Sequence, residues 1–231
     1  MPADDVAVRP AATVILVRDG ADGLETLLLR RNSQLAFHGG AWVFPGGRIE
    51  PDDYTSGEQP DDPTHPDHDD AARRAAVREA HEECGLLGDH VSFVPFSHWT
   101  TPPGPPRRFS TWFFLAEAPL GDVATDGGEM TDHRWMRPID ALAAQRAGEI
   151  ELPPPTFVSL TRLEPLATVA DALADARSAA YVRFEPRLHR VEGGMVHLYA
   201  GDVAYDAVEL LDEREPHHRL WSLESGWRYV S

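Results

Sequence analysis

The segment Arg78-Glu79-Ala80-His81-Glu82-Glu83-Cys84-Gly85-Leu86 constrains this chain most. It closes a stretch from Asp70 that is rich in Ala, Arg and Glu, all good helix formers. At about 100° per residue, glutamates at i, i+3 and i+4 share one helical face within a turn of each other. Bare carboxylates so placed destabilise a helix by roughly a few tenths of a kcal/mol each. A hard divalent cation removes that conflict, because Mg²⁺ takes oxygen ligands and is shared between carboxylates, waters and phosphates. The competing reading is a solvated acidic face, with Glu79 and Glu83 paired to Arg73, Arg74 or Arg78.

The composition narrows the partners. The net charge of −17 repels polyanions, which argues against a general nucleic-acid or anionic-membrane binder. An acidic enzyme acting on phosphate esters needs metal ions and local arginines to overcome that field. Cys84 is the single cysteine, so no intramolecular disulfide can form and a cytoplasmic setting is expected. Met1–Pro10 holds Asp4, Asp5 and Arg9 with no apolar run, unlike a secretory signal. No apolar run approaches the roughly 20 residues of a membrane span.

The 231 residues, 42% apolar, suit one large domain or a domain with an extension. Thr13–Val17 and Thr26–Leu29 read as a hairpin around Gly20, Asp22 and Gly23. Ala41–Phe44 is a third short strand, stopped by Pro45-Gly46-Gly47. Tyr54–Asp70 is rich in Pro and Asp and reads as a solvated loop. Asp69 or Asp70 is the expected N-cap of the helix, and Gly85 or Gly88 its end. Val91–Phe96, Thr111–Ala116 and Arg134–Met136 read as strands and Pro138–Ala147 as a helix with Pro at its start. Pro153-Pro154-Pro155 should break the chain before helices in Thr156–Leu166 and Thr168–Ala179. In the tail, Val182–Val191 with Met195–Tyr199, and Leu220–Leu223 with Trp227–Val230, are expected hairpins.

The glutamate helix is not isolated. Phe44-Pro45-Gly46-Gly47 ends a strand upstream, and a Gly-Gly turn lets backbone approach a ligand closely. Together these features resemble the Nudix hydrolases, whose signature is a Gly, a Glu, then Arg-Glu-x-x-Glu-Glu-x-Gly and an aliphatic residue. Gly47 matches the leading Gly, and Arg78, Glu79, Glu82, Glu83, Gly85 and Leu86 match the rest in register. Thirty residues separate Gly47 from Arg78, more than the family's usual spacing. The family's intermediate Glu becomes Asp53 counting forward or Asp70 counting back. Leu27–Gly47, Trp99–Pro102, Arg107–Thr111 and Glu151–Pro155 further resemble coenzyme A diphosphatases of the peroxisomal type, which also carry a long insertion. Asn32 and Ala36 depart from that pattern and keep ADP-ribose, NADH and nucleoside polyphosphates open as substrates.

The resemblance implies an α/β/α sandwich with a mixed sheet, the Arg78–Leu86 helix on one face and the Pro138 helix on the other. The core would span residues 1–152, with an insertion loop at 54–69, and residues 153–231 would form a helical and hairpin C-terminal extension packed on it, serving homodimer contacts or as a lid. It implies Mg²⁺ or Mn²⁺ held by Glu79, Glu82, Glu83 and the Gly47 carbonyl, with Arg78 orienting a site carboxylate. The water-activating base would be Glu82 or another box glutamate, or Glu129 on the loop after Asp126-Gly127-Gly128. Arg31, Arg107 and Arg108 are candidates for gripping phosphate, each also available for pairing with the many acids. Trp99 is a candidate adenine platform or a core residue, and His38 a substrate contact or a turn histidine. His65 and His68 are read as solvated rather than as a second metal site, and Cys84 as a packing residue. The expected reaction cuts the diphosphate of coenzyme A or acyl-coenzyme A, giving 3′,5′-ADP and (acyl)phosphopantetheine; a nucleotide-binding module without turnover is the rival of another class.

Overall fold

The computed structural model describes residues 6–34, 39–60, 67–85, 92–125, 127–179, 181–213 and 215–231. Its centre is strand β1 (Val8–Gly20), whose residues alternate between two cores. Ile15 and Val17 enter one apolar cluster, while Ala12, Val14 and Leu16 enter the other. The alternation repeats in β2 (Gly23–Arg31), where Leu24 and Leu28 face one side and Leu27 and Leu29 the other. A strand buried on both faces reads as a continuous apolar run, which is why TVILV and TLLL carry no polar alternation.

Beyond β1 and β2 the main sheet holds β3 (Trp42–Val43), β4 (Gly46–Arg48), β5 (Val94–Thr100), β6 (Arg108–Glu117), β7 (Met130–Met136) and β8 (Val182–Phe184). The order is β3-β2-β1-β6-β5-β8, with β4 also paired to β1 and β7 to β2. β1 runs parallel to β6 and β5 parallel to β8, and the other pairs are antiparallel, so the sheet is mixed. Helix α1 (Asp67–Cys84) covers one face through Ala71, Ala72, Ala75, Ala76 and Ala80. Those small side chains let the helix axis lie close to the strands. Helices α2 (Pro138–Arg146), α3 (Pro154–Leu163) and α4 (Val169–Ser178) cover the other. The expected sandwich and the sides of the two named helices are thus as observed. No helix among the described residues is long and apolar enough to cross a membrane.

Several local expectations need correction. Helix α1 begins at Asp67, so Asp69 and Asp70 lie inside its first turn rather than capping it. Its end is at Cys84, with Gly85 at φ +67°, while Gly88 lies outside the described residues. The ends of the 54–69 stretch are buried, not solvated: Tyr54 and His68 are 3% and 4% exposed and hydrogen-bonded at 3.0 Å. His65 lies outside the described residues. Pro154 and Pro155 start α3 instead of breaking the chain, because Pro suits the first helical turn, whose N–H groups lack partners anyway.

The stretch Val182–Val191 is two strands, not one. β8 joins the main sheet, and β9 (Arg187–Val191) opens a second, antiparallel sheet with β10 (Gly194–Leu198), β11 (Arg219–Leu223) and β12 (Gly226–Val230). Pro186 sits between them and has no N–H to continue a ladder. The second sheet is locked by a buried ion pair, Arg219 with Asp202, bonded Nε to Oδ2 and Nη2 to Oδ1 at 2.6 Å each.

Candidate active site

The site grows from the contact between α1 and the short strand β4. In the β1–β4 register Ala12 faces Gly47 and Thr13 faces Gly46. Close approach of backbone requires glycine at 46, and at 47 the missing side chain leaves room for the end of Glu79. A Cβ on Gly46 would overlap the Ala12 carbonyl and Thr13, and one on Gly47 would overlap the Glu79 carboxylate. The bare backbone also leaves the Gly46 N–H free to donate to Glu83 Oε2 at 2.9 Å.

Arg78 organises the rim. Its Nη1 donates to Glu79 Oε1 at 2.8 Å and reaches Glu82 Oε2 at 3.4 Å. Its Nη2 donates to the Arg48 carbonyl at 2.9 Å and to Asp53 Oδ2 at 3.0 Å, while Nε lies 3.3 Å from Asp53 Oδ1. The two-pronged Asp53 contact holds the guanidinium flat and, with the bond to Glu79, raises its proton affinity although burial opposes this. Asp53 is itself buried and takes the Glu50 N–H at 2.8 Å in a one-turn capping box over Pro51–Asp53. Asp70 is exposed at the other end of α1. The ambiguity left by counting residues is therefore resolved in space: Asp53 meets the box arginine and Asp70 does not.

Electrostatically the pocket is short of positive charge. Glu83 is 5% exposed. Burial pushes its carboxyl up to about 8, the Gly46 N–H and Arg31 oppose that, and Glu79 and Glu129 add to it. Glu79 is likewise raised by burial and by the neighbouring Glu82 and Glu129, against the pull of Arg78. Such acids favour protons, or a cation in their place. Among the described residues no three His, Cys, Asp or Glu side chains already converge on one point. Glu79 is turned to Arg78, Glu82 is 57% exposed, and Glu83 is engaged by Gly46. The donors are all carboxylate or carbonyl oxygen, and the buried charge is under-compensated, so the residues fit a hard dication.

Next to the acid pocket lies a cavity of about 380 Å³ whose wall includes Thr13, Arg31, Gly46, Trp99 and Pro153–Pro155. Arg31 Nη2 is bonded to Glu129 Oε1 at 2.6 Å. Asn32 pins the same loop, its N–H to the Glu129 carbonyl at 2.8 Å and its Nδ2 to the Gly128 carbonyl at 2.9 Å. The residue that looked like a departure from the coenzyme A pattern thus holds Glu129 beside the box glutamates.

The other expected substrate contacts fare differently. Trp99 is 4% exposed, stacked on Phe184 at 3.9 Å and 4°, with Nε1 donating to Ser97 Oγ at 3.1 Å. It is a core residue whose edge reaches the cavity wall. Arg107 is exposed and Arg108 braces the Pro-rich turn through Nε to the Thr101 carbonyl at 3.1 Å; neither lines the cavity. His38 lies outside the described residues, as does Leu86. Cys84 is fully buried, with Sγ donating to the Ala80 carbonyl at 2.8 Å, as expected of a packing residue. Sequence reasoning missed Leu188 and His197, which bring the second sheet to the cavity. No motif or periodicity in the sequence marks them.

Comparison with known proteins agrees with this geometry. The NUDIX domain profile matches residues 7–154, well over half of the chain. The acyl-coenzyme A diphosphatase NUDT19 of Homo sapiens is 28% identical, with 80% of this chain and 73% of that one aligned. A Caenorhabditis elegans protein named among the nudix hydrolases is also 28% identical over 67% of this chain, which spans only 60% of that relative's length. The crystal structure of a NUDIX hydrolase from Alicyclobacillus acidocaldarius superposes with a TM-score of 0.63 at 25% identity, covering 74% of this chain and 97% of that one. The NUDIX domain and the hydrolase relatives support a hydrolase acting on diphosphate bonds, and the chain belongs to the Nudix family.

Proposed function

We propose that the protein hydrolyses the diphosphate of coenzyme A or acyl-coenzyme A, with Mg²⁺ or Mn²⁺, to 3′,5′-ADP and (acyl)phosphopantetheine. The observation that carries this reading is the juxtaposition of an under-compensated acid pocket with a largely apolar cavity that opens beside Gly46. The NUDT19 relative, named for acyl-coenzyme A, supports the same choice. Glu79, Glu82, Glu83 and the Gly47 carbonyl would hold the ions, which supply charge neutralisation for the diphosphate and a more acidic attacking water.

The chain's own residues divide the remaining work. Arg78, fixed by Asp53, sets the rotamers of Glu79 and Glu82. Glu129, held by Arg31 and Asn32, accepts the proton of the attacking water from its loop. Arg31 is also the sole Lys or Arg among the described residues of the cavity wall.

A substrate panel run with Mg²⁺ or Mn²⁺ on wild type and Glu82→Gln tests the proposal. Coenzyme A or an acyl-coenzyme A should be cut with the highest specific activity, and Glu82→Gln should lose on the order of 100-fold or more. Preference for ADP-ribose, NADH or a dinucleoside polyphosphate would move the assignment to those substrates. Tight nucleotide binding without turnover, unchanged in Glu82→Gln, would make the protein a binding module.

A further inference from the structure

The cavity does not end at the acid pocket. From Gly46 and Arg31 it runs past the rigid Pro153–Pro155 wall to Pro186, Leu188 and His197, which follow the main sheet or belong to the second one. Leu188 is an exposed large apolar side chain, 39% accessible, on that wall. Exposure of an apolar side chain inside a concave site is what a ligand would relieve. His197 is half-buried beside it, with Nε2 bonded to Ser222 Oγ at 2.9 Å. Its burial lowers its proton affinity, to a value of about 4, so it brings no charge near neutrality. The far end is therefore apolar and neutral. It offers nothing to the 3′-phosphate of an ADP moiety, which needs cationic partners, and it suits a neutral chain.

We propose that the second sheet, through Leu188 and His197, forms the subsite that receives the acyl end of the thioester arm, so that chain-length preference is set by the C-terminal region and not by the Nudix box. This rests on the coenzyme A reading above. The subsite is rigid enough to discriminate. The sheet is held to the core by the edge-on contact of Phe157 in α3 with Trp227 in β12, ring centroids 5.4 Å apart, and internally by the buried Arg219–Asp202 pair. A long acyl chain would cover Leu188, whereas unacylated coenzyme A would leave it exposed. Burying a few methylenes in such a pocket changes kcat/KM by roughly 10-fold or more.

The test is the ratio of kcat/KM for octanoyl-coenzyme A to that for coenzyme A, in wild type, Leu188→Ser and Leu188→Trp. Circular dichroism checks that each variant folds, and with two substitutions of opposite volume one failure to fold leaves the other. The inference expects the ratio to fall about 10-fold or more in either variant, and by a similar factor in His197→Asp, which places a carboxylate at the subsite. An unchanged ratio in the folded variants, with wild type active on both substrates, would overturn the subsite and leave the function standing. Wild type inactive on both substrates would overturn the function and the subsite together.

Discussion

Replacing Glu83 by Gln should make the metal-free protein more stable while abolishing most of its activity. Gln keeps an oxygen for the Gly46 N–H, so the 2.9 Å hydrogen bond survives and only the charge is lost. In the folded chain the Glu83 carboxyl is pushed up to about 8, mainly by burial, with Glu79 and Glu129 adding to it. In the unfolded chain it titrates near 4.3. The sign follows from linkage. Between those two values the folded state keeps a proton that the unfolded state has released, so stability falls as pH rises. The cost grows by about 1.4 kcal/mol per pH unit and levels off above the folded value. The bound is roughly 4–5 kcal/mol at pH 8 or above, and water penetration should halve it to about 2 kcal/mol. For a chain of this size that is about 4–8 °C in Tm. Thermal melts of wild type and Glu83→Gln in EDTA, at pH 5 and pH 8.5, read this directly. The two should melt together at pH 5, with the variant higher at pH 8.5. Equal or lower melting of the variant at pH 8.5 would refute the claim that Glu83 sits uncompensated.

Three further outcomes follow from named contacts. Asp53→Ala should lower kcat about 10–100-fold with a small change in KM, by freeing Arg78 from its two-pronged contact, whereas Asp70→Ala should leave steady-state kinetics unchanged. Gly47→Ala should reduce turnover by a similar factor, because its Cβ overlaps the Glu79 carboxylate, and the loss should appear in Mn²⁺ affinity as well. Asp202→Ala should destabilise the protein by about 3–5 kcal/mol in denaturant melts, since it strands the buried Arg219.

The legible part of this chain is the part where local chemistry has one solution. The Gly46-Gly47 turn and the TVILV and TLLL strands each state a requirement that the fold meets, whereas the Glu79, Glu82 and Glu83 spacing fixes a shared helix but not the directions of the three carboxylates, which are held apart by Arg78, solvent and Gly46. Asp53 and Asp70 were indistinguishable by counting because the long insertion hides which carboxylate folds back to Arg78. Pro186, which cannot donate to a ladder, was the one local sign that Val182–Val191 would divide, but nothing in the residues on either side says that the halves join different sheets. Arg107 and Arg108 look like phosphate ligands by composition, yet the Thr101 carbonyl and solvent take them. Trp99 shows the reverse: a flat ring suited to adenine is consumed by Phe184, a partner that lies 85 positions later in the chain. Leu188 and His197 could not be read at all, because strand residues in a tail without a motif acquire meaning only from the cavity they close.

The most direct measurement is Mn²⁺ binding followed by EPR, on wild type and on the Glu79→Gln/Glu83→Gln double variant. Wild type should take up the ion from solution, and removing both buried charges should weaken binding by roughly 100-fold or more. Equal Mn²⁺ affinity in the two proteins would mean that the carboxylates beside the Gly46-Gly47 turn serve packing and ion pairing alone, and the metal-assisted account would fall.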